Sequence, residues 1–163
     1  MDPESVGNLI DGLEHAFLAD DDDALSKQRE GENVRRLQEQ YRAILRGDFP
    51  SFVNHLADDV EMEIIGPGEF PFVGHWRGRA PVVEALMRNF SMFEDQRPQL
   101  QLVVAQGDHV VITAREQGRY RPAQQEYQLH WVQFFTYRNG KLQRIRQIID
   151  GSALLDAIRQ AGP

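Results

Sequence analysis

The sequence predicts an α+β domain in which a strongly curved antiparallel sheet wraps one long helix and encloses an apolar cone. Three observations carry that expectation. Helical patterns are grouped ahead of the strands, the second half of the chain reads as a strand meander, and residues 124–150 form a long β-hairpin with one aromatic face. On that face Tyr127, Leu129, Trp131, Phe135 and Tyr137 recur at period two, and Gln133 is the only polar residue among them. A sheet curved this strongly leaves a concave apolar space of the kind that takes small molecules.

The elements follow in order. Residues 1–32 read as an N-terminal extension. Val6, Leu9, Ile10, Leu13, Phe17 and Leu18 make a short amphipathic helix, and residues 19–32 are an acidic, polar, turn-prone linker containing the run Asp20, Asp21, Asp22 and Asp23. Its expected role is to dock on the domain or on a partner subunit, with gating of a pocket as the alternative. A single domain, residues 33–163, then opens at Asn33 as a helix cap, with Val34, Leu37, Tyr41, Ile44 and Leu45 at helical spacing and Gly47-Asp48 as the stop. Phe49, Phe52, Val53 and Leu56 stripe a second helix that tolerates Pro50 in its first turn. Ala57-Asp58-Asp59 turns into a strand with Val60, Met62 and Ile64 facing in and Glu61 and Glu63 facing out. Residues 66–78 are too rich in glycine and proline to be regular, and their aromatics are placed to cover a mouth. Pro81, Val82, Val83, Ala85, Leu86, Met87 and Phe90 give a third helix. Strands follow at residues 99–105 and 109–119, then the hairpin, and a short helix begins after Asp150.

The register of the hairpin decides what joins Gln133. A two-residue Asn139-Gly140 turn sets Arg144 and Arg146 beside Phe135 and Gln133, on the apolar face. A three-residue Arg138-Asn139-Gly140 loop, with Gly140 left-handed in a bulge, pairs odd with odd and brings Ile145, Gln147 and Ile149 to that face. The second register is expected, because an unpaired buried charge costs roughly several kcal/mol, more than any difference between turns. Gln133 and Gln147 then share an apolar lining.

Composition narrows the partners. The 163 residues are 41% hydrophobic and 26% charged, ordinary for a globular chain. Lys plus Arg is 18 against 25 Asp plus Glu, and the net charge of −7 argues against nucleic acid or an anionic membrane as the main partner. The absence of cysteine excludes disulfides, thiolate nucleophiles and zinc–cysteine sites. The first residues lack a basic start followed by an apolar core, and no run of about 18 apolar residues occurs, so a cytoplasmic protein is expected.

The order and spacing of four stretches carry a resemblance. They are Tyr41 through Gly47-Asp48, residues 56–63, residues 74–79, and residues 138–142 leading to Asp150. Over about residues 33–160 the chain resembles the SnoaL-like polyketide cyclases, within the broader fold of the nuclear transport factor two and ketosteroid isomerase proteins. The resemblance implies a cone-shaped, cystatin-like α+β barrel and a homodimer formed through the convex sheet face, around Val132, Phe134 and Ile148. It also implies where chemistry would lie. The isomerase's proton-shuttling aspartate falls at Ile64, its oxyanion-binding acid at Gln133, and its first-helix tyrosine near Gln40 or Tyr41. The histidine and aspartate of the cyclases fall at Gln133 and Gln147. An amide cannot shuttle a proton at neutral pH, so the chain is read as neither a steroid isomerase nor a standard cyclase.

Glu116 is the catalytic candidate. Pairing through the Pro122 loop turns Val110, Ile112, Ala114 and Glu116 to the cavity with Leu129 and Trp131; a carboxylate there has a raised pKa, suited to a general acid or base, unless it meets Arg115, Arg119 or Arg146 in an ion pair. The ligand-binding candidates are Tyr41, Met62, Ile64, Trp76, Tyr127, Trp131, Gln133 and Gln147. Each has a plainer reading: the glutamines as a mutually satisfied pair, the tryptophans as core, and Tyr41 ending at the surface. His130 reads as an interface residue and Asp150 as a helix cap. No spacing suggests a metal, and no cofactor is expected. The leading expectation is a homodimer that binds a small, largely apolar molecule bearing a carbonyl or hydroxyl. Its enzymatic version is a cofactor-independent isomerase, cyclase or hydrolase using Glu116, Gln133 and Gln147. The rival is an assembly domain whose cone is filled by its own aromatics.

Overall fold

In this computed structural model residues 24–161 are described, so the amphipathic stretch and acidic run expected within residues 1–23 lie outside them. Helices α1 (Ala24–Leu45) and α2 (Phe49–Asn54) precede strand β1 (Leu56–Ile65), strand β2 (Gly74–Arg77) and helix α3 (Arg79–Ser91). Strands β3 (Phe93–Gln106), β4 (His109–Tyr120), β5 (Gln125–Arg138) and β6 (Lys141–Asp150) follow, and α4 (Ser152–Ala161) closes the order. The strands form one curved, unclosed sheet in the order β2-β1-β6-β5-β4-β3. Neighbours are antiparallel except β1 and β6, which run parallel.

The core sits on the concave side. Val60, Met62 and Ile64 of β1, Val110, Ile112 and Ala114 of β4, and the odd-numbered aromatics of β5 are buried, as the period-two pattern requires. Helix α1 presses Leu37, Gln40 and Ala43 into this space, with Tyr41 edge-on to Phe135 at 6.4 Å. Asp48 caps α2 by accepting the backbone N–H of Ser51, after Gly47 has ended α1 with a φ of 68°. Leu154 of α4, fully buried, helps close the end of the cone beside Leu129. Among the described residues no helix is long and apolar enough to cross a membrane.

Three local expectations are corrected. Helix α1 begins at Ala24, so part of the expected linker is helical and Asn33 is not a cap. Asn33 is buried mid-helix, giving its Nδ2–H to Gly107 O at 3.3 Å and accepting from Arg36 at 2.9 Å. The residues before it lack an apolar stripe because they grip a turn rather than a core: Glu30 accepts the N–H of Gly107 at 2.7 Å, and Arg29 lies 3.5 Å from Asp108. The glycine-rich stretch after β1 contains a strand, β2, whose residues pair with β1 from Glu61↔Arg77 to Ile64↔Gly74. Asp150 ends β6 and is exposed; the residue next to α4 is Gly151, whose carbonyl accepts from Leu155.

The expected hairpin register is present, by a different device. Asn139 and Gly140 both have positive φ, 51° and 73°, and Arg138 pairs with Lys141, so the turn has two residues. The pairing then shifts between Tyr137↔Leu142 and Thr136↔Arg144, leaving Gln143 as the extra residue of a bulge. Beyond it Phe135 faces Ile145, Gln133 faces Gln147, and Arg144 and Arg146 point outward to Glu63 at 3.6 and 2.8 Å. Deleting Gln143 is therefore expected to force both arginines toward the core or to break the turn. Chemical denaturation should show loss of the cooperative transition, and a deletion variant that unfolds like the parent would contradict the bulge's role.

Candidate functional site

A cavity of about 220 Å³ opens between the C-terminal ends of α1 and α3 and the concave face of the sheet. Leu45 and Phe90, 84% and 36% exposed, stand at its mouth. Inside, the walls are apolar, and polar groups come in two clusters and one isolated amide.

The first cluster is built around Glu116. Register places Glu116 opposite Leu129, with Ala114 opposite Trp131 and Gly118 opposite Tyr127, so Tyr127 and Trp131 are its diagonal neighbours across the β4–β5 pair. Tyr127 donates its hydroxyl to Glu116 Oε1 at 2.5 Å, and Trp131 donates its indole N–H to Oε2 at 2.9 Å. Gln96 adds a third bond to Oε1 at 3.1 Å, from a point where β3 is irregular beside Asp95, whose φ is 53°. Space for the phenol comes from Gly118: a Cβ there would lie 2.8 Å from the Tyr127 oxygen. The ion-pair alternative is not realised among the described residues. Arg115 donates to His130 at 3.3 Å, Arg119 lies 3.8 Å from Glu94, and Arg146 is held by Glu63. Glu116 is thus a carboxylate fed by neutral donors, and its Oε2, with one protein donor, keeps acceptor capacity for a ligand.

The second cluster is a polarised relay. Tyr41 donates its hydroxyl to Gln133 Oε1, and Gln133 donates Nε2–H to Gln147 Oε1 at 3.1 Å. Each amide spends its oxygen on the group before it, so the donor capacity of the chain collects at the Gln147 amide nitrogen. This relay borders a smaller inner chamber of about 60 Å³, which Met62, Phe135 and Gln40 also line. Gln40 accepts from Tyr137 at 3.1 Å, while its Nε2 has no partner among the described residues. Burial pushes the Tyr41 and Tyr127 phenols well above the usual range, and the nearby Glu116 charge adds to both shifts. Burial likewise raises Tyr137 and Tyr120.

The structure brings Glu116, Tyr41, Ile64, Trp131, Gln133 and Gln147 together around the cavity. Met62 lines only the inner chamber, and Tyr127 holds Glu116 without lining the cavity. Trp76 stays away from it: its ring packs over Gly74 and carries the Arg88 guanidinium 5.7 Å above. His130 lies on the outer face, as expected. Phe72 comes from the aromatic loop expected at the mouth, whereas Gln96, Gly118, Phe93 and Asn89 were not expected at the site. Two had a readable signal: Gly118 is a lone glycine inside a strand pattern, and Asn89 is a polar residue on the apolar stripe of α3. Among the described residues no cluster of His, Asp or Glu is placed to hold a metal.

The sequence profile described as a SnoaL-like domain matches residues 37–145. An NTF2-like protein from Burkholderia xenovorans LB400 is 32% identical, with 79% of this chain and 97% of that one covered at a TM-score of 0.70. TerC, co-crystallised with polyporic acid, is 24% identical over 78% of this chain and 98% of its own, TM-score 0.66. AclR from Streptomyces galilaeus is 16% identical over 80% and 87%, TM-score 0.63, and with TerC is similar in fold alone. No curated protein matches the chain.

The four raised tyrosines give a pH dependence. Their folded pKa values lie above the ordinary 10.0, so their contribution to stability is fully present below pH ~10 and is lost as pH rises further, when the unfolded chain releases protons that the folded chain keeps. Phenolate absorbance should therefore rise together with loss of tertiary structure, above pH ~10. A smooth titration near pH ~10 in a chain that stays folded would contradict this.

Proposed function

Because this chain belongs to the SnoaL-like domain family, we propose that its cone binds a small, largely apolar molecule bearing a carbonyl or hydroxyl. One observation carries the reading: an open, apolar-walled cavity with a carboxylate, Glu116, held by neutral donors, and with an amide relay ending at Gln147. A cone packed solid by its own aromatics would have suited an assembly domain. Here Trp131 is tied to Glu116 and Phe135 borders the inner chamber, while Trp76 lies outside, so space is left for a ligand. That TerC, which has the same fold, was co-crystallised with polyporic acid is consistent with a small organic ligand.

The arrangement suits acid–base chemistry at carbon next to a carbonyl. Among the described residues Glu116 is the only acidic side chain at the cavity, and it would accept the proton. The Gln147 and Gln133 amides, with Tyr41 behind them, would hold the oxygen on which negative charge develops. An isomerase, cyclase or hydrolase without a cofactor fits this division of labour. The raised phenols favour neutral tyrosines, which act as hydrogen-bond donors rather than bases.

The convex face supports a homodimer. Leu102, Val132 and Ile148 lie in one cross-strand row, and Val104, Val111 and Phe134 in the next. Leu102, Val104, Phe134 and Ile148 are 54%, 47%, 37% and 42% exposed, an apolar patch that calls for cover. Of the extension expected over residues 1–32, residues 24–32 belong to α1, and residues 1–23 are proposed to dock on this domain or on the second subunit.

Native mass spectrometry tests both parts. The expected spectrum is a dimer of the 18.7 kDa chain carrying extra mass that is released on denaturation. Bare protein from two expression hosts would argue against an occupied cone. A monomer at micromolar concentration would remove the dimer, which Phe134→Lys is expected to split.

A further inference from the structure

Asn89 is not used by either cluster. It sits on α3 at the end of the buried stripe Val82, Ala85, Asn89, is 9% exposed, and borders the cavity beside Phe90 and Tyr41. Its backbone carbonyl accepts from Met92 at 3.1 Å, but its side-chain Oδ1 and Nδ2 are both buried with no partner among the described residues. Leucine or alanine would complete this stripe at no such cost. A buried amide with both ends unpaired is destabilising, and such groups in folded chains call for a specific partner.

We propose that Asn89 is a specificity-determining residue of the cavity, reading a ligand group that presents a hydrogen-bond donor and an acceptor side by side. This rests on the ligand-binding reading above. An asparagine amide offers one acceptor oxygen and two N–H donors, so its full complement is a primary carboxamide, a lactam or an enolised hydroxy-ketone, rather than a lone ketone. Asn89 is among the residues that line the cavity, so a ligand held there is the available partner for the unpaired amide. The remaining lining sets the charge of the ligand. Among the described residues no lysine, arginine or histidine borders the cavity and Glu116 is the one acidic group there, so a neutral molecule is accepted and a carboxylate or phosphate meets an uncompensated negative charge. Glu116 takes a donor at one end, Asn89 matches a donor–acceptor pair, and the apolar walls hold the body between.

The test uses three two-ring probes of nearly equal size: naphthalene-2-carboxamide, 2-acetonaphthone and 2-naphthoate, titrated calorimetrically into the full chain and into Asn89→Leu. For the parent protein the carboxamide is expected to bind about tenfold tighter than the ketone, and the naphthoate weakest of the three. In Asn89→Leu the carboxamide should lose that tenfold advantage while the ketone binds as before, and the melting temperature should stay level or rise, since an unpaired amide has been replaced by an apolar group. An unchanged carboxamide-to-ketone ratio in Asn89→Leu overturns the assignment, as does a parent protein that does not distinguish the two. Asn89→Ala serves as the second variant if leucine does not fit. Failure of all three probes to bind the parent would instead remove the ligand-binding reading on which the assignment rests.

Discussion

The structure depends on the register of the β5–β6 hairpin. A two-residue turn alone would set Arg144 and Arg146 against the aromatic face, and the bulge at Gln143 reverses that alternation within one residue pair. Because side-chain direction in a strand has period two, this single insertion decides the fate of every residue beyond it. It places Gln133 opposite Gln147 inside the cone and sends both arginines to Glu63 on the outside. Those ion pairs are exposed and individually worth about 0–1 kcal/mol, so they mark the outer face more than they stabilise it. The stabilisation comes from keeping two charges out of the core.

With the register set, the cavity follows from what its polar groups can do for one another. Glu116 would be expensive in an apolar wall without partners. It is tolerated because β5 offers Tyr127 and Trp131 on either side of its opposite residue, and because β3 bends at Asp95 to supply Gln96. Gly118 makes the room that Tyr127 needs. The relay from Tyr41 to Gln147 solves the same problem with neutral groups, passing donor capacity inward to one amide. Between them lies space bounded by Leu129, Ile149 and Phe93, a shape that separates a carboxylate acceptor from an amide donor.

Much of this was legible in the chain. Period-two aromatics gave the inner face of β5, the polar exception at Gln133 marked the site, and the cost of a buried charge selected the right pairing with Gln147. The bulge itself was not readable, because sequence penalises the wrong outcome without naming the device that avoids it. The sequence pattern of helix α1 shows only from Asn33 onward, since its first turns answer to the Gly107 turn, a contact 74 residues away that leaves no apolar stripe. Strand β2 was hidden by its glycines, and its pairing to β1 overrides local turn preference. Gln96 owes its place to an irregularity in β3, and Trp76, an aromatic in the loop that the sequence sets at the mouth, packs instead over Gly74 and under Arg88.

Glu116, open to the cavity, is proposed to take a ligand's hydrogen-bond donor while Trp131 anchors it from the protein side. The most direct test is the indole N–H resonance of Trp131, followed by ¹H–¹⁵N correlation spectra during titration with 2-naphthol, in the parent chain and in Glu116→Gln. The expected result is a saturable shift of that resonance together with the side-chain amides of Gln133 and Gln147 in the parent, and a markedly weaker titration in the variant. Shifts confined to exposed residues, or an identical titration when Glu116 is glutamine, would contradict it.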